Sequence, residues 1–313
     1  MNLKLKNKKV YDSVIVGAGP AGITTSIYLA RSGFDVAIVE KGLYGGQLND
    51  TDSVENYTAF ENISGMELAQ KMEAHSRSVE GIEHIYGDVK KVEKKDGEFK
   101  VSLGKDKIYT KSLVIATGVS HKKLKVDGES ELLGKGVSYC ATCDGAFFKG
   151  KDVTIIGGGD SAMESAIYMS KIANEVTIIH RRDTFRAEKI LQDRAGECDN
   201  IKYIYNADVS EIVGDGGSVS GVKYNDKKTF DSSIHPTDGI FVNIGVVPNS
   251  DVFGDLGILR ESGFIYTDKE MKTSVDGVYA VGDVRYDSVR QITSAVGDGA
   301  VVSESINKYL NEL

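Results

Sequence analysis

Proline and cysteine are scarce in this sequence, with 3 of each in 313 residues, and no apolar run reaches the roughly 18 residues that a membrane span needs. The first ten residues, MNLKLKNKKV, are basic but run into the polar Tyr11-Asp12-Ser13, so no secretory signal is expected and the chain should stay in the cytoplasm, away from membranes. Cations are outnumbered as well: 38 Lys plus Arg against 46 Asp plus Glu leave a net charge of −8, which repels a polyanion and argues against nucleic acid as a partner. Glycine, by contrast, is plentiful. Its 35 residues exceed the usual share of about 7% and point to backbone that closely approaches something. With 41% hydrophobic and 27% charged residues the chain is globular, and its length suggests about two domains.

Two segments repeat one pattern. DSVIVGAGPAGITTSIYLARSGFDVAIVE (12–40) and KDVTIIGGGDSAMESAIYMSKIANEVTIIHRR (151–182) each read as an apolar β-branched strand, a glycine turn, a helix and a second strand. Near-continuous Val and Ile in both first strands suits a parallel sheet covered on both faces. Pro20 sits in the first turn of the first helix and Gly33 closes it. After residue 82, HIYGDVKKVEKKDGEFKVSL and KIYTKSLVIATG predict hairpin strands, and IKYIYNADVSEIVGDGGSVSGVKYNDKKTF predicts a similar accessory element after the second repeat. VYAVGDV (278–284) predicts a buried strand ending in an acid, and AVVSESINKYL an amphipathic helix. Short Gly- or Pro-marked crossings lie at 117–121 and 245–249. The expected architecture is α/β: two Rossmann-like, three-layer dinucleotide-binding domains, each with an accessory β-meander. Residues 120–246 are expected to be inserted into a first domain made of 1–119 and 247–313.

Gly17, Gly19 and Gly22 form GxGxxG, where the first glycine permits the tight turn, the second lets backbone approach a pyrophosphate and the third packs helix on strand. Glu40 ends the next strand, where a carboxylate accepts from a ribose diol; the plainer reading is a sharp turn that binds nothing. The second repeat has Gly157, Gly159 and Ala162, but its second strand ends in His180-Arg181-Arg182, with Arg186 beyond. Cations there attract a 2′-phosphate and favour NADP over NAD, unless they are merely a solvated face.

Cys140 and Cys143 form a CxxC followed by Asp144. A staple closing four residues contributes only about 1.9 kcal/mol on the chain-entropy scheme, against about 4.7 for a hundred-residue loop, so electron exchange is the better reason for the pair. A zinc half-site would need a second CxxC or a His pair, and the sequence has neither nearby, so no metal is expected. Asp144 beside the thiols is suited to moving their proton, though an Asp before Gly145 also makes an ordinary turn. Cys198, alone in a polar run, is expected to have no role, and His235 is expected in a surface loop.

GAGPAG, YGGQL (44–48), ENY (55–57), IATG (115–118), YCATCDG (139–145), GGGDSA (157–162), HRRDTFRA from His180, VGDV and RQITSA occur in this order over essentially the whole chain. Together they resemble the low-molecular-weight, bacterial-type thioredoxin reductases. The resemblance implies FAD in the first domain and NADPH in the inserted one. It places Glu40 at the adenosine ribose, Gln47 and Asn56 near the flavin and its pyrophosphate arm, Asp283 on the ribityl chain, and Gln291 and Ile292 beside the flavin ring. Pro20, Ala21, Lys41, Gly46, Leu48 and Val89 would complete the FAD site with Ala116, Thr117, Gly118, Gly282 and Arg290. Asp160, Ser161 and Gly245 would join the NADP site. Electrons would pass from NADPH to flavin, then to a Cys140–Cys143 disulfide, then to the disulfide of thioredoxin. Cys143 would meet the flavin, Cys140 would attack thioredoxin and Asp144 would handle the proton.

The resemblance also implies a homodimer, and rotation of the inserted domain about its two crossings, since one arrangement cannot serve both half-reactions. Two alternatives are weaker. The flavoprotein reductase of a peroxidase system carries an extra N-terminal redox domain, for which the ten residues before Tyr11 leave no room. A non-catalytic redox sensor would not need an acid beside a dithiol.

Overall fold

The computed structural model describes residues 9–51, 54–95, 97–215 and 217–313. The chain begins with β1 (Val10–Val16), α1 (Pro20–Arg31), β2 (Val36–Glu40), α2 (Gly65–Ser78) and β3 (Ile82–Tyr86), then β4 (Lys91–Lys95), β5 (Glu98–Leu103) and β6 (Asp106–Ile115). A crossing strand, β7 (Val119–His121), leads to β8 (Val137–Ser138), α3 (Ala141–Asp144), β9 (Asp152–Gly157), α4 (Asp160–Met169), β10 (Glu175–Ile179), α5 (Lys189–Gly196) and β11 (Ile201–Ile204). There follow β12 (Ala207–Gly214), β13 (Val219–Asp226), β14 (Ser232–Pro236) and β15 (Gly239–Asn243). The chain returns through β16 (Val246–Pro248) to β17 (Val278–Ala280) and α6 (Ile292–Glu312). Two compact units result. One comprises the chain up to Thr51, Tyr57–Ser120 and Val247–Leu313; the other comprises Asp52–Asn56 and His121–Val246.

In the first unit one sheet runs β3-β2-β1-β6-β5-β4, with β17 also on β6. Adjacent residues of the second half of β1 feed opposite cores, which is why Val14-Ile15-Val16 is a continuous apolar run. Val14 and Val16 pack with Phe99, Val101 and Val92 of the meander. Ile15 packs with Ile23, Ile27 and Leu29 of α1 and with Val302 and Ile306 of α6. Three layers follow: helices, parallel strands, meander.

The inserted unit repeats this plan. Its parallel sheet, β11-β10-β9-β15-β8, sends Ile155 toward Met163 and Ala166 of α4, and Ile156 toward Ile212, Val219 and Val222 of a separate antiparallel sheet, β12-β13-β14.

Several expectations need correction. Ile82–Tyr86 is not a hairpin strand: β3 pairs parallel with β2 at the sheet edge, and the meander begins at β4. Ile201–Ile204 likewise belongs to the parallel sheet, because Asn206 takes the left-handed conformation (φ +54°) and turns the chain before β12. The strand at 278–284 stops at Ala280, with Asp283 in a 3-10 turn beyond it. His235 lies in β14, opposite Val222, half-buried rather than in a surface loop. The two crossings are not bare loops either, since β7 and β16 pair with each other. Among the described residues no helix is long and apolar enough to cross a membrane.

Candidate active site

The first glycine turn is closed beneath and open above. Gly17 has φ +105°, and a Cβ there would collide with the Ala116 carbonyl; one on Gly22 would collide with the Gly17 carbonyl. At Gly19, by contrast, nothing lies within 4 Å of the position a Cβ would take. Gly19 caps α1 and Pro20 is its first residue, where a missing N–H is harmless. The Glu40 carboxylate braces the turn, accepting from Ala18 N at 2.8 Å and Gly42 N at 2.9 Å; each oxygen keeps a lone pair for a ribose hydroxyl. Lys41 beside it is exposed, whereas Ala21 and Ala116 are buried. At the end of β6 the Thr117 Oγ1 is buried without a partner, and Gly118 (φ +64°) faces open space. An open turn beside an orphaned hydroxyl fits the pyrophosphate arm of a dinucleotide.

Gln47 lies in the 3-10 turn Gly46–Asp50, next to Leu48, and its Nε2 reaches the Val119 carbonyl at 3.2 Å and Asp283 Oδ2 at 3.5 Å. Burial raises the Asp283 carboxyl above the usual range, while the Arg290 charge pulls it down. Gly282 N donates to Asp298 Oδ2 (2.9 Å), which Arg285 pairs at 2.7 Å, so α6 holds the turn that carries Asp283. Gln291 caps α6 in a reciprocal box with Ser294, and Ile292 begins the helix. Arg290, at φ +58°, lies over the Phe264 ring. Val89 is buried in the meander-side core. Asn56 alone among the residues expected at the flavin groups with the other unit.

In the inserted unit a Cβ on Gly157 would strike the Asn243 carbonyl, while Gly159 is open, so the second turn has the same closed-then-open build. Ala162 is buried beneath it and Ser161 is exposed on α4. The arginine loop is fastened to this turn by main-chain bonds. Arg186 N donates to Gly158 O at 2.8 Å, and Glu188 N to Asp160 Oδ1 at 2.8 Å. His180 is 5% exposed, with its ring against Gly158 and Nε2 3.1 Å from Thr184 O. It braces the loop from inside, and burial holds its imidazole below the ordinary range. Arg181, Arg182 and Arg186 are exposed and pair with no carboxylate among the described residues, which fits a 2′-phosphate. Gly245 (φ +107°) is exposed at the end of the unit. Asn243 was not selected from sequence. It ends β15 beside Gly157, at the strand pair where the order reverses, and its Oδ1 is buried without a partner.

Cys140 and Cys143 are joined in a disulfide, with Cα atoms 5.3 Å apart. Ser138 Oγ accepts from Cys140 N at 3.0 Å and donates to Asp144 Oδ2 at 2.5 Å. Tyr139 donates to Glu129 Oε1 at 2.8 Å and stacks on His121. Glu129, 2% exposed, also accepts from Leu124 N and Lys125 N, so the strand leading into the CxxC is held on its other side. Gly145 has ordinary helical φ, so turn chemistry does not require glycine there, and a Cβ would press on the side chains of Met169 and Tyr168 of α4. Cys198 is a free thiol 3.4 Å from Ser170 Oγ. Ser138 and Glu129 escape sequence reasoning because the backbone path around β8 and the segment before it, not a residue spacing, brings their partners to them.

Two dinucleotide-type turns, one fringed with arginines, and a CxxC disulfide with an adjacent acid define a dinucleotide-dependent disulfide oxidoreductase. The sequence pattern of pyridine nucleotide-disulphide oxidoreductases matches residues 11–299. The chain is 46% identical to the thioredoxin reductase of Listeria monocytogenes over 308 residues, 98% of this chain and 96% of that one. It is 45% identical to that of Bacillus subtilis over 311 residues, 99% and 98% of the two chains. The crystal structure of thioredoxin reductase from Streptococcus pyogenes superposes with a TM-score of 0.92 at 44% identity, covering 97% of this chain and 99% of that one. The chain belongs to the pyridine nucleotide-disulphide oxidoreductase family, and within it to the bacterial-type thioredoxin reductases.

Proposed function

We propose that this protein is an NADPH-dependent thioredoxin-disulfide reductase with Cys140 and Cys143 as its redox centre. The observation that carries the reading is the disulfide itself, with an acid two hydrogen bonds away: Cys140 N to Ser138 Oγ to Asp144 Oδ2. The open turn at Gly19, Glu40 and the Thr117 hydroxyl support FAD in the unit formed by 1–119 and 247–313, with Gln47 and Asp283 toward the ring end. The open turn at Gly159 and the unpaired Arg181, Arg182 and Arg186 support NADPH in 120–246. Bound there, the two cofactors supply the electron pair that opens the disulfide.

The chain's own groups then carry out the exchange. The Cys140 thiolate attacks one sulfur of thioredoxin's disulfide, that S–S bond breaks, and a mixed disulfide forms. The departing sulfur takes a proton from the Asp144 carboxyl. Asp144 then accepts the Cys143 proton, and the Cys143 thiolate attacks the Cys140 sulfur, restoring the enzyme disulfide. The second thioredoxin sulfur leaves with the proton from Asp144, so two electrons and two protons are delivered. A cytoplasmic homodimer belongs to the same reading, on its likeness to the bacterial-type enzymes.

Cys140→Ser should keep its yellow flavin and the flavin's reduction by NADPH, while thioredoxin-dependent NADPH oxidation falls at least about 100-fold. Retained turnover, or a colourless purified protein, would overturn the assignment.

A further inference from the structure

We infer that Ser138 is a positioning residue for the thiol exchange: its hydroxyl holds the Asp144 carboxylate against the turn that carries Cys140. The inference rests on the reading of Asp144 as the proton carrier. Ser138 is 5% exposed and lies on β8, where it pairs with Phe241 of β15. Its position is therefore set by the parallel sheet and not by the cysteine turn. The hydroxyl has one proton, which goes to Asp144 Oδ2 at 2.5 Å, and its lone pair takes the Cys140 N–H at 3.0 Å. One oxygen thus ties the main chain of the attacking cysteine to the acid that serves it.

Two consequences follow. An Asp side chain has two free torsions, and proton transfer needs its oxygen within hydrogen-bond reach of the departing sulfur, so a fixed anchor removes unproductive rotamers. With Oδ2 engaged by Ser138, the proton is carried on Oδ1, which is also buried. Ser138 makes no hydrogen bond to either sulfur, so its effect passes through Asp144.

The test compares Ser138→Ala, Ser138→Thr and Ser138→Val with Asp144→Asn in the holoenzyme. Ser138→Ala should lower kcat for thioredoxin reduction about tenfold, as expected for one lost hydrogen bond to a charged group, with KM for thioredoxin unchanged. Single-turnover reduction of the flavin by NADPH should not change. Ser138→Thr, which keeps the hydroxyl, should recover most of the rate, while Ser138→Val, of the same shape without it, should match Ser138→Ala. The Ser138→Ala/Asp144→Asn double variant should be no slower than Asp144→Asn. Full turnover in Ser138→Ala and Ser138→Val beside a slow Asp144→Asn overturns the inference and leaves the acid in place. So does equal loss in Thr and Val, or a flavin reduction step slowed as much as turnover. Full turnover in Asp144→Asn overturns the acid and the inference together.

Discussion

His180 shows how side chains at this site are committed to the backbone before any ligand arrives. Its position at the end of β10 suggests a nucleotide ligand, but its ring is buried between Gly158 and Thr184 O, bracing the arginine loop. Burial lowers its pKa, as it does for His84 and His235. Unfolded histidines take protons near pH 6.5, and these folded ones resist, so stability present above about pH 6.5 should be lost on acidification. Urea unfolding of the holoenzyme at pH 7.5 and 5.5 measures this. His180→Gln should narrow the difference between the two pH values, and an unchanged difference would remove His180 from the effect. Glu40 is similar: its type and place were readable as a ribose acceptor, but its two backbone bonds depend on the turn geometry.

At the scale of elements, the two glycine turns are the repeat made physical. Gly22 is forced by the Gly17 carbonyl and Gly19 is not forced by any protein atom. Gly22→Ala should therefore destabilise the protein by about 2 kcal/mol or more through overpacking, read as a lowered denaturation midpoint without flavin. Gly19→Ala should match the wild type in that measurement but bind less flavin, read from the visible absorbance. If both behave alike, the open face of Gly19 is not a ligand site. Both β-α-β repeats were legible because Val and Ile runs of a two-sided sheet and a 3.6-residue helical period are local signals. Strand partners were not: β3 and β11 read like meander strands, and only the sheet edge available to each decided that they pair parallel with β2 and β10.

For the whole molecule, one chain carries two units of the same design that differ where the second strand ends, Glu40 in one and His180-Arg181-Arg182 in the other. That difference should set cofactor choice. Replacing Arg181 and Arg182 by Ala removes two charge-assisted contacts of about 1.5 kcal/mol each, so kcat/KM for NADPH should fall about 100-fold while that for NADH changes less than about threefold. Steady-state assays with both nucleotides measure this, and an equal fall would detach the arginines from the 2′-phosphate.

The sequence alone determined the two nucleotide-type repeats, the interruption of one by the other, the cysteine pair and its acid, because each is written in contiguous residues whose spacing carries the chemistry. Tertiary structure decided which carbonyls close Gly17, Gly22 and Gly157, which hydroxyl anchors Asp144, and that His180 points inward. Apart from the Gly17 carbonyl against Gly22, which lies within one turn, those contacts depend on how strands, turns and helices pack, which no local pattern encodes.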